Sequence, residues 1–138
     1  MPSTVEGHIE AAVFARVAAL SLSPAMPVAW PNAAFNPPPA GYLRVSHIPN
    51  INRRLFIGSD GPHQRLGLLQ ISVFVPLNEG ASKATEIADA VAAHFPPDLR
   101  MRSGGVTVRV ERAPEIAQGM PDDTYWHVPV VVRYQAII

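Results

Sequence analysis

Apolar side chains recur along this chain at two spacings, and each spacing predicts a different secondary structure. Near the N-terminus, and again after residue 80, they recur every three or four positions, which is the period of an α-helix. The first stripe predicts a helix over residues 5–20, with a capping box at Ser3-Thr4-Val5-Glu6. The second predicts a helix that begins near Ser82 and ends at Phe95-Pro96. The stripes are Val5, Ile9, Val13, Val17 and Leu20, and then Ala84, Ile87, Ala88, Val91, Ala92 and Phe95.

Outside the helices, apolar and polar side chains alternate, as they do in half-buried β-strands. The longest such run, residues 64–77, has an apolar face and a second face that begins apolar and becomes mixed. We therefore expect something to cover part of the second face, a neighbouring subunit being one candidate. The apolar face consists of Leu69, Ile71, Val73 and Val75, and the second of Leu66, Leu68, Gln70, Ser72 and Phe74. Further strands are predicted at 26–31, 41–48, 50–57, 98–102, 106–111 and 125–138.

Turn and loop residues indicate how these elements connect. Gly58-Ser-Asp-Gly61 has turn chemistry, so the strands on either side of it form a hairpin. The proline-rich segment 31–39 predicts a stiff loop that rests on the body through Phe35. Residues 113–124 predict an acidic loop, and Pro129, which lacks a backbone donor, indicates a bulge or a sheet edge in the last strand.

The order of the elements is helix, strands, helix, strands, with mostly hairpin-length links, and it predicts an α+β fold. We expect an antiparallel or mixed β-sheet with two α-helices packed on one face and a protruding β-hairpin. No linker divides the chain, and 138 residues are enough for one core, so residues 1–138 are expected to form a single domain.

The composition argues against catalysis and several kinds of binding. The chain has no Cys, which excludes disulfides, thiolate nucleophiles and Cys-based zinc sites. Its five His residues lack metal-ligand spacing, and Ser103-Gly-Gly105 leads into a strand rather than the helix that a phosphate loop needs. Zero net charge does not favour nucleic acid, and no apolar stretch is long enough to span a bilayer. We therefore predict no catalytic residue, cofactor, metal site, membrane segment or specific nucleic-acid binding.

Almost all of the positive charge is arginine: Lys83 is the only Lys among eleven basic side chains. A GC-rich genome that supplies Arg codons is the simpler explanation of this bias. Arg also forms planar, hydrogen-bonded pairs at protein interfaces. Four Arg residues flank the predicted hairpin with Phe56 among them, against one acid, Asp60. The pattern is typical either of a polar hairpin in solvent or of a hairpin that clamps carboxylates on a neighbouring copy. A DNA-facing role is a third interpretation, disfavoured by the small net excess of positive charge. The four residues are Arg44, Arg53, Arg54 and Arg65.

Three segments together carry a family resemblance. The first is the helical segment 9–16. The second is the segment 71–91, which contains a strand, a short connection and a helix, and the third is the final strand 126–135. In order and length these elements resemble the bacteriophage tail terminators, the small tail-completion proteins of long-tailed phages and related gene-transfer particles. Each segment is a packing pattern, and the family has no catalytic signature to compare.

The resemblance implies a ring, commonly of six copies, that lies on the last layer of the tail tube. Such a ring stops tube polymerisation and presents a surface to the head. The implied partners are further copies of the chain, the tail tube protein and the head connector protein. The implied location is the virion tail and, during assembly, the host cytoplasm.

Under this resemblance, the hairpin residues Arg53, Arg54, Phe56 and Arg65 would contact a neighbouring subunit or the tube. Asp122 and Asp123, in the acidic loop, would face basic groups of a partner.

Two other interpretations remain open. A head–tail connector or neck protein differs little at the level of sequence. A small ligand-binding or enzymatic α+β domain would instead have a deep apolar pocket with converging polar groups.

Reversing the charge of Arg53 and Arg54 together, as Arg53→Glu and Arg54→Glu, should abolish assembly in a complementation assay and leave the monomer folded. The expected loss follows from replacing attraction to partner carboxylates with repulsion. Particle yield measures assembly, and circular dichroism of the purified chain measures folding. Normal particles from this variant would contradict the assignment of the hairpin.

Overall fold

The computed structural model describes residues 4–22 and 25–138, and in this part of the chain two helices accompany one sheet of eight strands. The elements in chain order are α1 (Val5–Ala18), β1 (Val28–Ala29), β2 (Tyr42–Arg54), β3 (His63–Pro76), α2 (Ser82–Ala93), β4 (Arg100–Ser103), β5 (Val106–Val110), β6 (Glu115–Ile116), β7 (Met120–Asp122) and β8 (Tyr125–Ile137).

Three long strands form the middle of the sheet. The strand order is β1-β2-β3-β8-β5-β4, and β6 and β7 pair with the rest of the β8 edge. β1 runs parallel to β2, and every other pairing is antiparallel. The predicted α+β fold with a mixed sheet is therefore confirmed.

Both helices pack on the same face of this sheet, as predicted. The apolar face of β3 is completely buried there, together with the inward residues of β2, β5 and β8. Fully burying a Val or Ile side chain contributes about 1.5–3 kcal/mol, so this single face supplies most of the driving force for folding. Helix residues that close the core are Ile9, Ala12, Val13 and Val17 from α1, and Ala84, Ala88 and Val91 from α2.

The second face of β3 is covered in part by the chain itself. Phe74 is buried and packs with Tyr42, which in turn contacts Phe35 of the proline-rich loop at 5.2 Å between ring centroids. The Tyr125 hydroxyl donates a hydrogen bond to the Pro38 carbonyl at 2.9 Å and holds the loop in place. The predicted contact through Phe35 is therefore confirmed. Near the hairpin the same face stays partly exposed at Leu66.

The N-terminal cap of α1 differs from the predicted one. Ser3 lies outside the described residues, and the helix cap is Thr4, whose Oγ1 accepts a hydrogen bond from the Gly7 amide at 3.1 Å. Glu6, expected to complete the box, instead accepts a hydrogen bond from Arg65 at 2.8 Å. This ion pair joins the first turn of α1 to β3. The helix also ends two residues earlier than predicted, at Ala18.

The segment predicted as an acidic loop is more ordered than expected, because β6 and β7 lie within it and pair with β8.

Pro129 lies between the residues of β8 that pair with β6 and those that pair with β7. The Pro129 carbonyl accepts a hydrogen bond from the Ala117 amide at 2.9 Å. The N–H and C=O of one residue in an antiparallel strand point to the same neighbouring strand, so the N–H that Pro129 lacks would point to this edge as well. Pairing with β3 runs without a register shift through Ser72↔Pro129. Pro129 therefore marks a gap along one edge of β8 rather than a bulge.

A reciprocal set of hydrogen bonds ties the C-terminal ends of the two helices together. Arg16 donates from Nε and Nη2 to the His94 carbonyl at 3.0 and 2.7 Å. The His94 ring donates from Nε2 to the Arg16 carbonyl at 2.7 Å. These bonds give the His94 carbonyl two guanidinium donors and add a second donor to the Arg16 carbonyl, which also accepts from the Ala19 amide at 3.2 Å.

The substitution His94→Ala should lower the free energy of unfolding by about 0.5–1.5 kcal/mol, because the Arg16 carbonyl loses its side-chain donor in a part-buried position and keeps only the Ala19 amide at 3.2 Å. Urea denaturation monitored by circular dichroism measures this change. The matched control is His63→Ala, whose ring bonds Asn52 in an exposed position and should cost less than about 0.5 kcal/mol. Equal effects of the two substitutions would contradict the importance of the helix link.

Candidate protein-interaction surfaces

The β2–β3 hairpin ends in an exposed apolar loop. Every residue from 50 to 60 is exposed, and three consecutive apolar side chains follow the end of β2. Leu55, Phe56 and Ile57 are 41%, 54% and 97% exposed, respectively, and we call them the hairpin tip. Neighbouring apolar side chains in solvent are costly unless a partner covers them, so the tip is a candidate contact surface.

Arg54 maintains the shape of the hairpin tip. Its Nε donates to the Phe56 carbonyl at 2.9 Å, and its Nη2 donates to the Ile57 carbonyl. The guanidinium therefore binds the loop of its own chain. Of the predicted interface residues on the hairpin, Arg53 and Phe56 lie in solvent. The double charge reversal consequently removes the loop's own hydrogen bonds as well, whereas Arg53→Glu alone changes only an exposed charge.

The remaining two Arg residues of the predicted cluster lie elsewhere. Arg65 points to the helix side of the sheet, where it pairs with Glu6 at 2.8 Å. Arg44 pairs with Ser72 in the sheet, nine residues before Arg53 along β2, which separates them by roughly 30 Å. The structure therefore does not bring the four Arg residues into one cluster.

The predicted acidic residues lie at the other end of the sheet. Asp122 ends β7, and Asp123 follows it in the turn to β8 with a positive φ of 56°. Both are exposed, and Asp122 Oδ2 lies 3.8 Å from His127 Nδ1. A left-handed backbone favours Asp or Asn over most residues, so Asp123 also has a structural reason to be there.

Sequence reasoning missed an apolar groove beside these acids. It lies between the joint that follows β3, Leu77–Ala81, and Pro121 of β7, and Trp126 forms part of its lining. Its volume is about 400 Å³. Trp126 is half-buried, because the groove leaves part of the indole open. The signal available in the sequence was a Trp at the very start of its strand.

A three-ring stack crosses the outer face of the sheet. Tyr42 stacks on Phe74 at 4.6 Å, and Phe74 stacks on His127 at 4.5 Å, both with ring planes 7° apart. Arg44 lies over the Phe74 ring at 4.9 Å. Burial lowers the pKa of His127, the Arg44 charge lowers it further, and Asp122 raises it in part. The imidazole is therefore neutral at pH 7 and functions as an aromatic ring of the stack.

A series of hydrogen bonds through His47 links α1 to two strands. Glu10 Oε2 lies 3.1 Å from His47 Nδ1, and His47 Nε2 lies 2.6 Å from the Tyr134 hydroxyl. Tyr134 is only 1% exposed, and burial raises the pKa of its phenol. The phenol stays protonated and shielded from solvent. These hydrogen bonds therefore suit a structural role better than the activation of Tyr134 as a nucleophile. Gly67 makes room for it, because a Cβ there would collide with the Tyr134 hydroxyl.

A second cavity, slightly larger than the groove, does not have the chemistry of a reaction centre. It measures about 420 Å³, and Ser21 is the only polar residue among the described residues that line it. Its apolar lining comes from Val17, Ala18, Leu20, Leu22, Ala25, Met26, Val28, Trp30 and Leu43. Within residues 4–22 and 25–138 there is no group of three or more metal-ligating side chains. No described helix is long and apolar enough to cross a membrane.

One comparison with known proteins identifies a family. A family model described as "Phage tail terminator protein" matches residues 8–134, which is nearly the whole chain. One similar solved structure, which carries no functional name, is 33% identical, with a TM-score of 0.74. The match covers 93% of this chain and 92% of the other. No curated protein matches the chain.

Stability of the wild-type chain should fall as the pH drops below 6.5, because the unfolded His127 gains a proton that the buried ring resists. Because the pKa of His127 is lower in the folded chain than in the unfolded chain, the ring stabilises the fold at pH values above its unfolded pKa. That stabilisation is lost as the pH falls through the folded pKa. His127→Phe keeps the stack and removes this titration. Urea denaturation at pH 7.5 and 5.5 should show a larger loss for wild type than for the variant. Equal losses would contradict the neutral, buried state of His127.

Proposed function

The chain belongs to the phage tail terminator family, and on that premise we propose that it caps the tail tube. The cap ends polymerisation of the tube and forms the surface to which the head attaches. The observation that carries this proposal is the family match over residues 8–134. The family consists of structural proteins of the phage tail, which associate with other tail components.

The physical task of a cap fits a rigid block with separate contact surfaces. A cap must bind the last tube layer on one side and offer no copy of the tube's own next-layer surface on the other. Head-to-tail contacts between identical copies close into a ring when the rotation per copy is right. We propose a ring, with six copies as the family norm, whose partners are the tail tube protein and the head connector protein. It acts in the virion tail after assembly in the host cytoplasm.

Two exposed regions support a role in contacts with other proteins. The hairpin tip exposes apolar side chains next to Arg53. Nearby, on the outer face of the sheet, Ile48, Ile51 and Ile137 are also exposed. Apolar area concentrated at one end of a protein is typical of a surface that a partner covers. In this proposal the chain carries out no catalytic step. Arg53 and Phe56 act in assembly by contact, Arg54 acts by shaping the tip, and Arg65 acts through its ion pair with Glu6, which holds α1 against β3. Asp122 and Asp123 face a partner.

Deleting the gene from its phage or prophage should yield overlong or headless tails, because nothing stops the addition of tube protein or presents the head-binding surface. Negative-stain electron microscopy of induced lysates measures tail length and head attachment. Supplying the wild-type chain from a plasmid should restore both, which excludes an effect on neighbouring genes.

A connector or neck protein gives a different result in the same experiment. Its loss leaves finished tails of normal length beside heads that are filled with DNA or have leaked it. That outcome would replace the cap proposal with the connector alternative. Normal virions from the deletion would reject both.

A further inference from the structure

Two exposed surfaces at opposite ends of β3 differ in shape. The hairpin tip, which precedes β3, projects as an apolar loop, whereas the groove, which follows β3, is apolar and concave. The 14 extended residues of β3 separate them by roughly 40 Å. A chain therefore cannot place its own tip in its own groove, and each surface is available to another molecule.

The groove has the chemistry to accept an apolar side chain. Leu77, Pro121 and Trp126 supply apolar area, and Ala81 adds a small side chain at the start of α2. A half-buried indole offers a large rigid surface that a partner can cover at little entropic cost. The volume of about 400 Å³ accommodates a side chain of the size of Phe56.

The charges around the two surfaces are opposite. Glu79 lies in the joint that lines the groove, and Asp123 lies in the turn after β7, two residues beyond Pro121 of the other wall. The Asp122 carboxylate lies on the opposite face of the sheet, 3.8 Å from His127 Nδ1. One base, Lys83, lies 3.9 Å from Glu79, so two carboxylates and one ammonium group lie near the groove.

At the other end of β3, Arg53 and Arg54 flank the tip, and Asp60 is the acid of the hairpin loop. Arg54 keeps its positive charge while it bonds the loop carbonyls. Opposite charges around matching apolar surfaces favour one orientation of approach.

We propose that the hairpin tip of one copy inserts into the groove of a second copy. Phe56 and Ile57 then cover Trp126, and Arg53 faces the carboxylates beside the groove. Because the two surfaces are different, each copy offers a free tip and a free groove to further copies. The inference rests on the proposed function, since it supplies the contact between copies in the ring.

Disulfide cross-linking tests this contact directly, because the chain has no cysteine of its own. The test variant combines Ile57→Cys at the tip with Ala81→Cys in the groove. It is expressed in the deletion phage, and tails are purified under reducing conditions, oxidised and separated on a non-reducing gel. The expected product is a ladder of multimers, because the bond requires the two Cα atoms within about 7 Å.

The matched control combines Ile57→Cys with Ala93→Cys, an exposed Ala at the far end of α2. It should give roughly tenfold less cross-linked product, since only cysteines held together have a high effective concentration. Product that stops at the dimer would show a closed pair and overturn the head-to-tail arrangement.

Tail length under reducing conditions separates this inference from the proposed function. Normal tails without the tip–groove disulfide would reject the contact and leave the cap proposal standing. The deletion without a plasmid should give overlong tails, and the test variant should restore normal length. That result supports the cap proposal independently of the cross-link. If the first pair fails to assemble, Leu55→Cys with Glu79→Cys places the bond at the same contact, and its ladder or absence decides the question.

Discussion

Strand β3 determines the positions of all other parts of this protein. It is hydrogen-bonded on one edge to β2 and on the other to β8 for nearly its whole length, and both helices seal its inner face. A slip of one residue in either pairing would turn four fully buried side chains towards solvent. The register is therefore fixed by burial. Because β3 ends in the hairpin tip on one side and in the groove on the other, the same register fixes the separation and relative orientation of the two surfaces.

The architecture was predictable because its signals are local. Alternation in β3 and β8 and the helical stripes of α1 and α2 lie within single segments, and each matches the burial in the structure. The errors arose where a distant residue decided the outcome. Glu6 is suited to a capping box by spacing, but Arg65, 59 positions away, takes its carboxylate. The strands β6 and β7 are too short to show a period and form only because β8 offers an open edge.

The candidate surfaces were predictable only in part, for the same reason. Exposure of Arg53 and Phe56 follows from their place next to a turn, which the sequence indicates. The internal roles of Arg54 and Arg65 depend on carbonyl and carboxylate partners that no spacing rule identifies. The groove joins residues that are more than 40 positions apart, Leu77 and Pro121, and it exists only once β7 pairs with β8.

The hydrogen bonds from Arg54 to the loop carbonyls have a consequence for association kinetics and affinity. An exposed loop without them would sample many backbone states and lose that conformational entropy on docking, at about 1–2 kcal/mol for each residue immobilised. Here the guanidinium restricts the backbone at Phe56 and Ile57 before any encounter. The loop is thus preorganised, and more of the free energy of apolar burial remains available to hold two molecules together. Arg54 can therefore strengthen an interface without touching the other molecule.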